Sequence, residues 1–310
     1  MSLLHAFRER RPFPGQDPWV VAHDGSLLLV QSAGGDRRIV VKRFGDLERM
    51  HHNVETVIWS GGGRRQVWAP EMHQIEGRWY VYFAAGDGRP DGHRMFVLVA
   101  DDPLGPYTEV GRVSDPTHDV WAIDMTVFRH AGQLYAVWSG WDGPTDGFPQ
   151  NLYIAPMSNP WTITGERRCL SQPEHPWEMT VAPVNEGPTV LAHPSSGQLC
   201  ILYAADASWT SAYKTGLLEW TGGDVTDRAA WRKSPEPWLT DGGHGCVVDT
   251  VTGSHFVYHR KLTGEPGWAD REIRSTPLLW DAHGRPFVGT EKPSVPLQAG
   301  GGFRSLDLVA

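Results

Sequence analysis

The chain has 310 residues, a formal net charge of −8 and a pI near 5.9, with 35 glycines and 24 prolines. An acidic balance without a concentrated basic face excludes nucleic acid and anionic membrane as expected partners, and no apolar run reaches the roughly 18 residues needed to span a bilayer. Glycine and proline are spread along the chain instead of pooled in a linker, which suits many short strands joined by tight turns in a single domain over 1–310.

The first fifteen residues, "MSLLHAFRERRPFPG", lack the apolar core of roughly 7–15 residues that a secretory leader carries. A cytoplasmic location is therefore the expectation, with export open if "MSL" is a start introduced for expression in place of a native leader. "RERR" at 8–11 reads as a solvated turn, too short to be a nucleic-acid arm.

From Asp17 onward a phrase repeats. "DPWVVAHDGSLLLVQS" from Asp17, "APEMHQIEGRWYVYFAA" from Ala69, "DMTVFRHAGQLYAVWSG" from Asp124, "EGPTVLAHPSSGQLCILYAA" from Glu186 and "HGCVVDTVTGSHFVYHR" from His244 each give a short apolar strand, a polar turn ending in glycine, and a second strand rich in aromatic and aliphatic residues. That is a hairpin pattern, with its turn glycine at Gly25, Gly77, Gly132, Gly197 and Gly253. Between the hairpins, "RIVVKRF", "RMFVLVADDPLGPYTEVG", "NLYIAPMSNPWTITGERR", "TGLLEWTGGDVTDRAAWRKS" and "EIRSTPLLWDAHGRPFVG" each supply a third strand and a short outer one. Four strands repeated five times predict an all-β fold, a five-bladed β-propeller with four antiparallel strands per blade.

In a propeller the first strand of each blade lines the central channel. Asp17, Asp124 and Glu186 stand at the start of that strand in the first, third and fourth repeats, so three carboxyl groups are expected to converge at equivalent positions. Like charges gathered in a partly desolvated cavity push their pKa values apart, leaving one ionised while another keeps its proton. Glycoside hydrolysis needs such a pair, an acid for the leaving oxygen and a carboxylate for water or the sugar.

"DPWVV" at 17–21, "WAPEMH" at 68–73, "AIDMTVF" at 122–128 and "VNEGPTVL" at 184–191 together resemble the ordered motif set of glycoside hydrolase family 43, from about residue 13 to 290. The resemblance implies an inverting enzyme, with Asp17 as general base, Asp124 as the residue that raises and orients the acid, and Glu186 as general acid. It further implies an exo-acting α-L-arabinofuranosidase releasing arabinose from 1,5-linked oligosaccharides, in preference to a β-D-xylosidase; the short stretch after His244, and Arg260 where a small residue is common, bear on that preference. A non-catalytic carbohydrate-binding propeller is the alternative from another class, but it has no need of three acids in register.

The same resemblance makes Arg274 the arginine that approaches the modulating acid and the sugar. His244, opening the fifth repeat, becomes a channel residue that in relatives supports the site or sits beside a hydrated calcium. No cofactor is required on this reading, and calcium is the one metal it allows. Trp68 and Trp141 are candidate sugar-stacking faces, since indole covers the C–H face of a sugar ring. Glu71 is expected to turn away from the triad as supporting structure, His51 and His52 to lie in a solvated loop, and Cys169, Cys200 and Cys246 to be buried free thiols. The expected partner is an oligosaccharide; the sequence carries no sign of oligomeric state.

Overall fold

Every apolar stretch singled out above forms a strand in the computed structural model, which describes residues 13–289 apart from Gly62 and Asp146. "RERR" lies outside the described residues. The strands run, in chain order, β1 (Phe13–Pro14), β2 (Trp19–His23), β3 (Ser26–Ala33), β4 (Arg38–Phe44), β5 (Val54–Ser60), β6 (Arg65–Ile75), β7 (Arg78–Gly86), β8 (Arg94–Ala100), β9 (Thr108–Val113), β10 (Ala122–His130), β11 (Gln133–Gly140) and β12 (Asn151–Asn159). They continue with β13 (Thr162–Ile163), β14 (Arg168–Ser171), β15 (Asn185–Ala192), β16 (Leu199–Ala205), β17 (Lys214–Trp220), β18 (Trp231–Lys233), β19 (Gly243–Thr250), β20 (Gly253–Lys261), β21 (Arg271–Trp280) and β22 (Pro286–Val288). Helix among the described residues is confined to three single 3₁₀ turns.

Hydrogen bonding sorts these strands into five antiparallel sheets: β2 to β5, β6 to β9, β10 to β14, β15 to β18, and β19 to β22 with β1. They are the five blades predicted. Three of the connecting hairpins are two-residue turns, Asp24-Gly25, Glu76-Gly77 and Ala131-Gly132, in which both central residues have positive φ. This is the type I′ geometry whose twist matches that of paired strands, and it explains why the glycine recurs.

The fifth blade departs from the simple four-strand phrase. Its third strand, β21, is met on its outer side by β22 near Leu278 and by β1 at Ile273 and Glu272, so the start of the chain fastens onto the last blade. The core is correspondingly divided into seams between neighbouring blades. Val30, Ile39, Val81 and Phe83 fill the first seam, and Tyr82, Val97, Met125 and Trp138 the second. Val137, Ile154 and Ile201 fill the third, Leu202, Leu217 and Phe256 the fourth, and Leu29, Val248 and Val257 close the ring between the fifth blade and the first. Strands buried on both faces require apolar residues at successive positions, as in "MFVLVA" and "LCILYAA".

Candidate active site

The inner strands of four blades share one irregularity. In each, the pairing to the second strand slips, between Trp68 and Glu71, Ile123 and Thr126, Glu186 and Thr189, and Gly243 and Gly245. Inside each slip lies one residue in the left-handed region: Ala69 (φ 44°), Asp124 (55°), Gly187 (52°) and His244 (50°). Asp17 (46°) holds the same conformation two residues before β2. Bulges re-aim a side chain next to an active site, and a left-handed backbone at a non-glycine residue is strain that the surrounding structure must hold in place. Here the device turns Asp17, Asp124 and His244 together.

Glu186 differs from the expectation of strict equivalence. Its blade places Gly187 at the left-handed position, and the acid comes one residue earlier. A Cβ on Gly187 would lie 2.5 Å from Cγ of His244, so only glycine fits there.

The carboxyls still meet. Ligand atoms of Asp124, Glu186 and His244 all lie within 4.8 Å of one another, and Nδ1 of His244 is 3.4 Å from Asp17 Oδ1 and 3.7 Å from Asp124 Oδ2. Asp124 Oδ2 accepts a hydrogen bond from the Gly187 amide (3.1 Å), and the Tyr213 hydroxyl donates to Glu186 Oε1 (2.9 Å).

Their protonation diverges. Burial pushes Glu186 up to about 8, helped by the charge of Asp124 and opposed by His244 and the Tyr213 hydrogen bond. Asp124 is also raised, by burial and then by the charge of Asp17. Burial alone would raise Asp17, but His244, His259 and Arg271 outweigh it and hold this carboxyl below its ordinary value. Because burial lowers His259 itself to about 3, the Arg271 guanidinium is the standing positive charge beside Asp17. The cluster therefore combines an ionised carboxylate with a protonated acid.

Two of these neighbours escaped the sequence reading. His259 accepts the Asp17 amide N–H at Nδ1 (3.1 Å) and stacks on Tyr213 at 5.3 Å, linking Asp17 and Glu186 through one aromatic pair. Arg271 reaches Asp17 Oδ1 at 3.9 Å. Arg274, the arginine expected from the motif, instead pairs with Glu272 at 2.7 Å, beside Arg260. Strand alternation accounts for the exchange: in β21 residues an odd number apart face opposite sides, and Arg271 shares its face with Ile273, whose cross-strand partner is His259. Asp36, in the turn between β3 and β4, is a third addition. Its carboxylate takes a hydrogen bond from Trp68, and burial and the charge of Asp17 raise its pKa.

The remaining candidates are placed as follows. Trp68 is half-buried and stacks on His93 at 3.8 Å; Trp141 is only 8 % exposed, with one face covered by Trp121 at 4.8 Å. Trp141 thus belongs to packing between the second and third blades. Glu71 does not turn away as expected: it is buried, hydrogen-bonded to Thr126 and to His73, and raised well above its ordinary value by burial, with a further contribution from Asp124. Two residues past the bulge, strand alternation brings the side chain back to the axis. His51 and His52 are exposed, and all three cysteines are free, as expected; Cys200 and Cys246 are buried, whereas Cys169, on the outer strand β14, is only partly buried.

Among the described residues, Asp124, Glu186 and His244 are also the group that could hold a cation. Calcium takes about six to eight oxygen ligands, waters among them; two carboxyls and an imidazole would fill only part of that shell and leave the rest to water.

Comparison with known proteins agrees with this geometry. The family model described as glycosyl hydrolases family 43 matches residues 12–286. An α-L-arabinofuranosidase 43 of Humicola insolens is 34% identical over 90% of the chain and 62% of its own length. An extracellular exo-α-(1→5)-L-arabinofuranosidase of Streptomyces chartreusis is 33% identical over 81% of the chain and 82% of its own. The chain spans about three fifths of the length of the first and of a similarly named Streptomyces avermitilis protein. Among solved structures, an α-L-arabinofuranosidase from Lactobacillus brevis superposes with a TM-score of 0.80 at 30% identity, covering 91% of this chain and 95% of that one. Two of these relatives are named extracellular, so the cytoplasmic expectation finds no support among them; among the described residues no helix is long and apolar enough to cross a membrane. With motifs, blades and clustered carboxyls in agreement and the family model matching nearly end to end, the chain belongs to glycosyl hydrolases family 43.

Proposed function

We propose that the protein is an inverting glycosidase that releases non-reducing-end α-L-arabinofuranosyl units from 1,5-linked arabino-oligosaccharides. One observation carries the mechanism: a carboxyl raised to about 8 beside one held below its ordinary value, in a single buried cluster. Glu186 gives its proton to the glycosidic oxygen as the bond from the anomeric carbon breaks. Asp17 takes a proton from a water that attacks that carbon from the opposite face. The new C–O bond has inverted configuration, and the enzyme is left with Glu186 ionised and Asp17 protonated until solvent exchange restores both.

Asp124 acts through its neighbours. Its charge helps to hold the proton on Glu186, and the Gly187 amide and His244 fix its direction. The Arg271 guanidinium helps keep Asp17 ionised, and Asp36, hydrogen-bonded to Trp68, lies close enough for its charge and that of Asp17 to interact.

Arabinofuranoside as substrate is supported by the names of the relatives and of the Lactobacillus brevis structure. Relatives named xylosidase/arabinosidase match over less of the chain or at lower identity. Proton NMR during the first turnovers of an α-L-arabinofuranoside tests the mechanism: β-arabinofuranose is the expected initial product, and an initial α-anomer refutes inversion. Parallel assays on the 4-nitrophenyl α-L-arabinofuranoside and β-D-xyloside test the sugar, with faster xyloside cleavage overturning that part.

A further inference from the structure

We infer that Trp268 and Trp209 form a stacking platform for the sugar on the leaving-group side of the scissile bond, an inference that rests on the glycosidase reading above. Trp268, in the loop between β20 and β21, is 63 % exposed, far more than Trp161, the other exposed tryptophan among the described residues, at 39 %. Its ring lies 5.2 Å from that of Trp209, in the loop between β16 and β17. An exposed indole backed by a half-buried one leaves apolar area in water that a ligand can cover.

Position assigns the ligand. The guanidinium of Arg271 lies over the Trp268 ring at 5.6 Å and also reaches Asp17 at 3.9 Å, so one side chain separates the platform from the base. Trp209 packs against Ala207 and against Ala182 and Val184, the last two on the segment that leads directly into Glu186. The pair therefore stands at the seam of the fourth and fifth blades, where the first unit beyond a bond protonated by Glu186 emerges. A furanose C–H face suits such a surface.

The platform is built in advance of binding. The Gly267 amide donates to the Trp209 carbonyl (2.8 Å), joining the two loops. Lys261 Nζ donates to the Gly267 and Ala269 carbonyls (2.8 and 2.7 Å), and Arg271 Nε donates to the Trp268 carbonyl (3.3 Å). A loop already ordered loses little freedom when a sugar arrives. None of these bonds uses the side chain of Trp268, so truncating it leaves them in place.

The test compares kcat/KM on 1,5-α-L-arabinotriose, which extends over the platform, with methyl α-L-arabinofuranoside, which does not. In Trp268→Ala the triose-to-methyl ratio is expected to fall about tenfold, the size of one good stacking contact. Trp268→Phe should recover most of that ratio, and Trp161→Ala, far from the site, should keep the wild-type ratio. A ratio unchanged in Trp268→Ala, or equal losses on both substrates, overturns the platform and leaves the glycosidase reading standing. A wild-type protein that cleaves neither substrate overturns both.

Discussion

Replacing Glu186 by Gln should remove activity and, above neutral pH, stabilise the fold. The acid is 8 % exposed, and its pKa rises from 4.5 to about 8. A carboxyl whose folded pKa lies above its unfolded one binds more protons when folded, so stability is unaffected below pH 4.5 and declines as the pH climbs toward 8. At 1.36 kcal/mol per unit, the full cost above pH 8 is about 5 kcal/mol. Gln is neutral at every pH and nearly the same shape, so it escapes this cost. Thermal unfolding of both proteins at pH 5 and pH 9 measures it: similar midpoints are expected at pH 5, and at pH 9 a variant more stable by about 10 °C, at roughly 2 °C per kcal/mol, the low end of the range for large domains. The catalytic assay should show a loss of about 10²–10⁴-fold, the usual contribution of a positioned acid. A midpoint difference that is the same at both pH values would refute the claim that Glu186 is a strained, protonated acid.

Tyr213→Phe removes the hydrogen bond that favours ionised Glu186, so the alkaline limb of the kcat/KM profile should move up by about one pH unit; a downward shift contradicts the assignment. Arg271→Met should raise the pKa of Asp17 and so move the acidic limb upward, whereas Arg274→Met, whose partner is Glu272, should leave that limb in place. Gly187→Ala forces a methyl to 2.5 Å from the His244 ring at a left-handed backbone position; a loss of at least about 2 kcal/mol in urea unfolding is expected, and wild-type stability would show that the contact yields.

The blades were legible because each hairpin carries its own local chemistry: apolar strands, a turn glycine, aromatic return. The acids were legible for the same reason, since each begins a repeat. What could not be read was which way individual side chains turn. A bulge adds one residue and reverses the facing of everything beyond it, so Glu71 came back to the axis, and Glu186 sits one position off its counterparts. Arg271 and Arg274 are near neighbours in sequence, but only the pairing of β21 with β20 reveals that the first shares a face with His259. Trp141 looked like a sugar face until its stack on Trp121 was visible, and the exposure of Trp268 depends on a loop whose shape no strand pattern encodes.

The ring is closed by Phe13 and Pro14 against Ile273 and Glu272, and the Gly15 amide extends that seam to the Arg271 carbonyl at 3.1 Å. Asp17 follows two residues later, so the fastening that completes the cylinder also places the carboxylate proposed as proton acceptor, beside the Arg271 guanidinium. On that proposal catalysis becomes a reporter of circularisation: recovery of turnover during refolding should lag the recovery of sheet signal by the time needed to join the first strand to the last blade, and simultaneous recovery would contradict it.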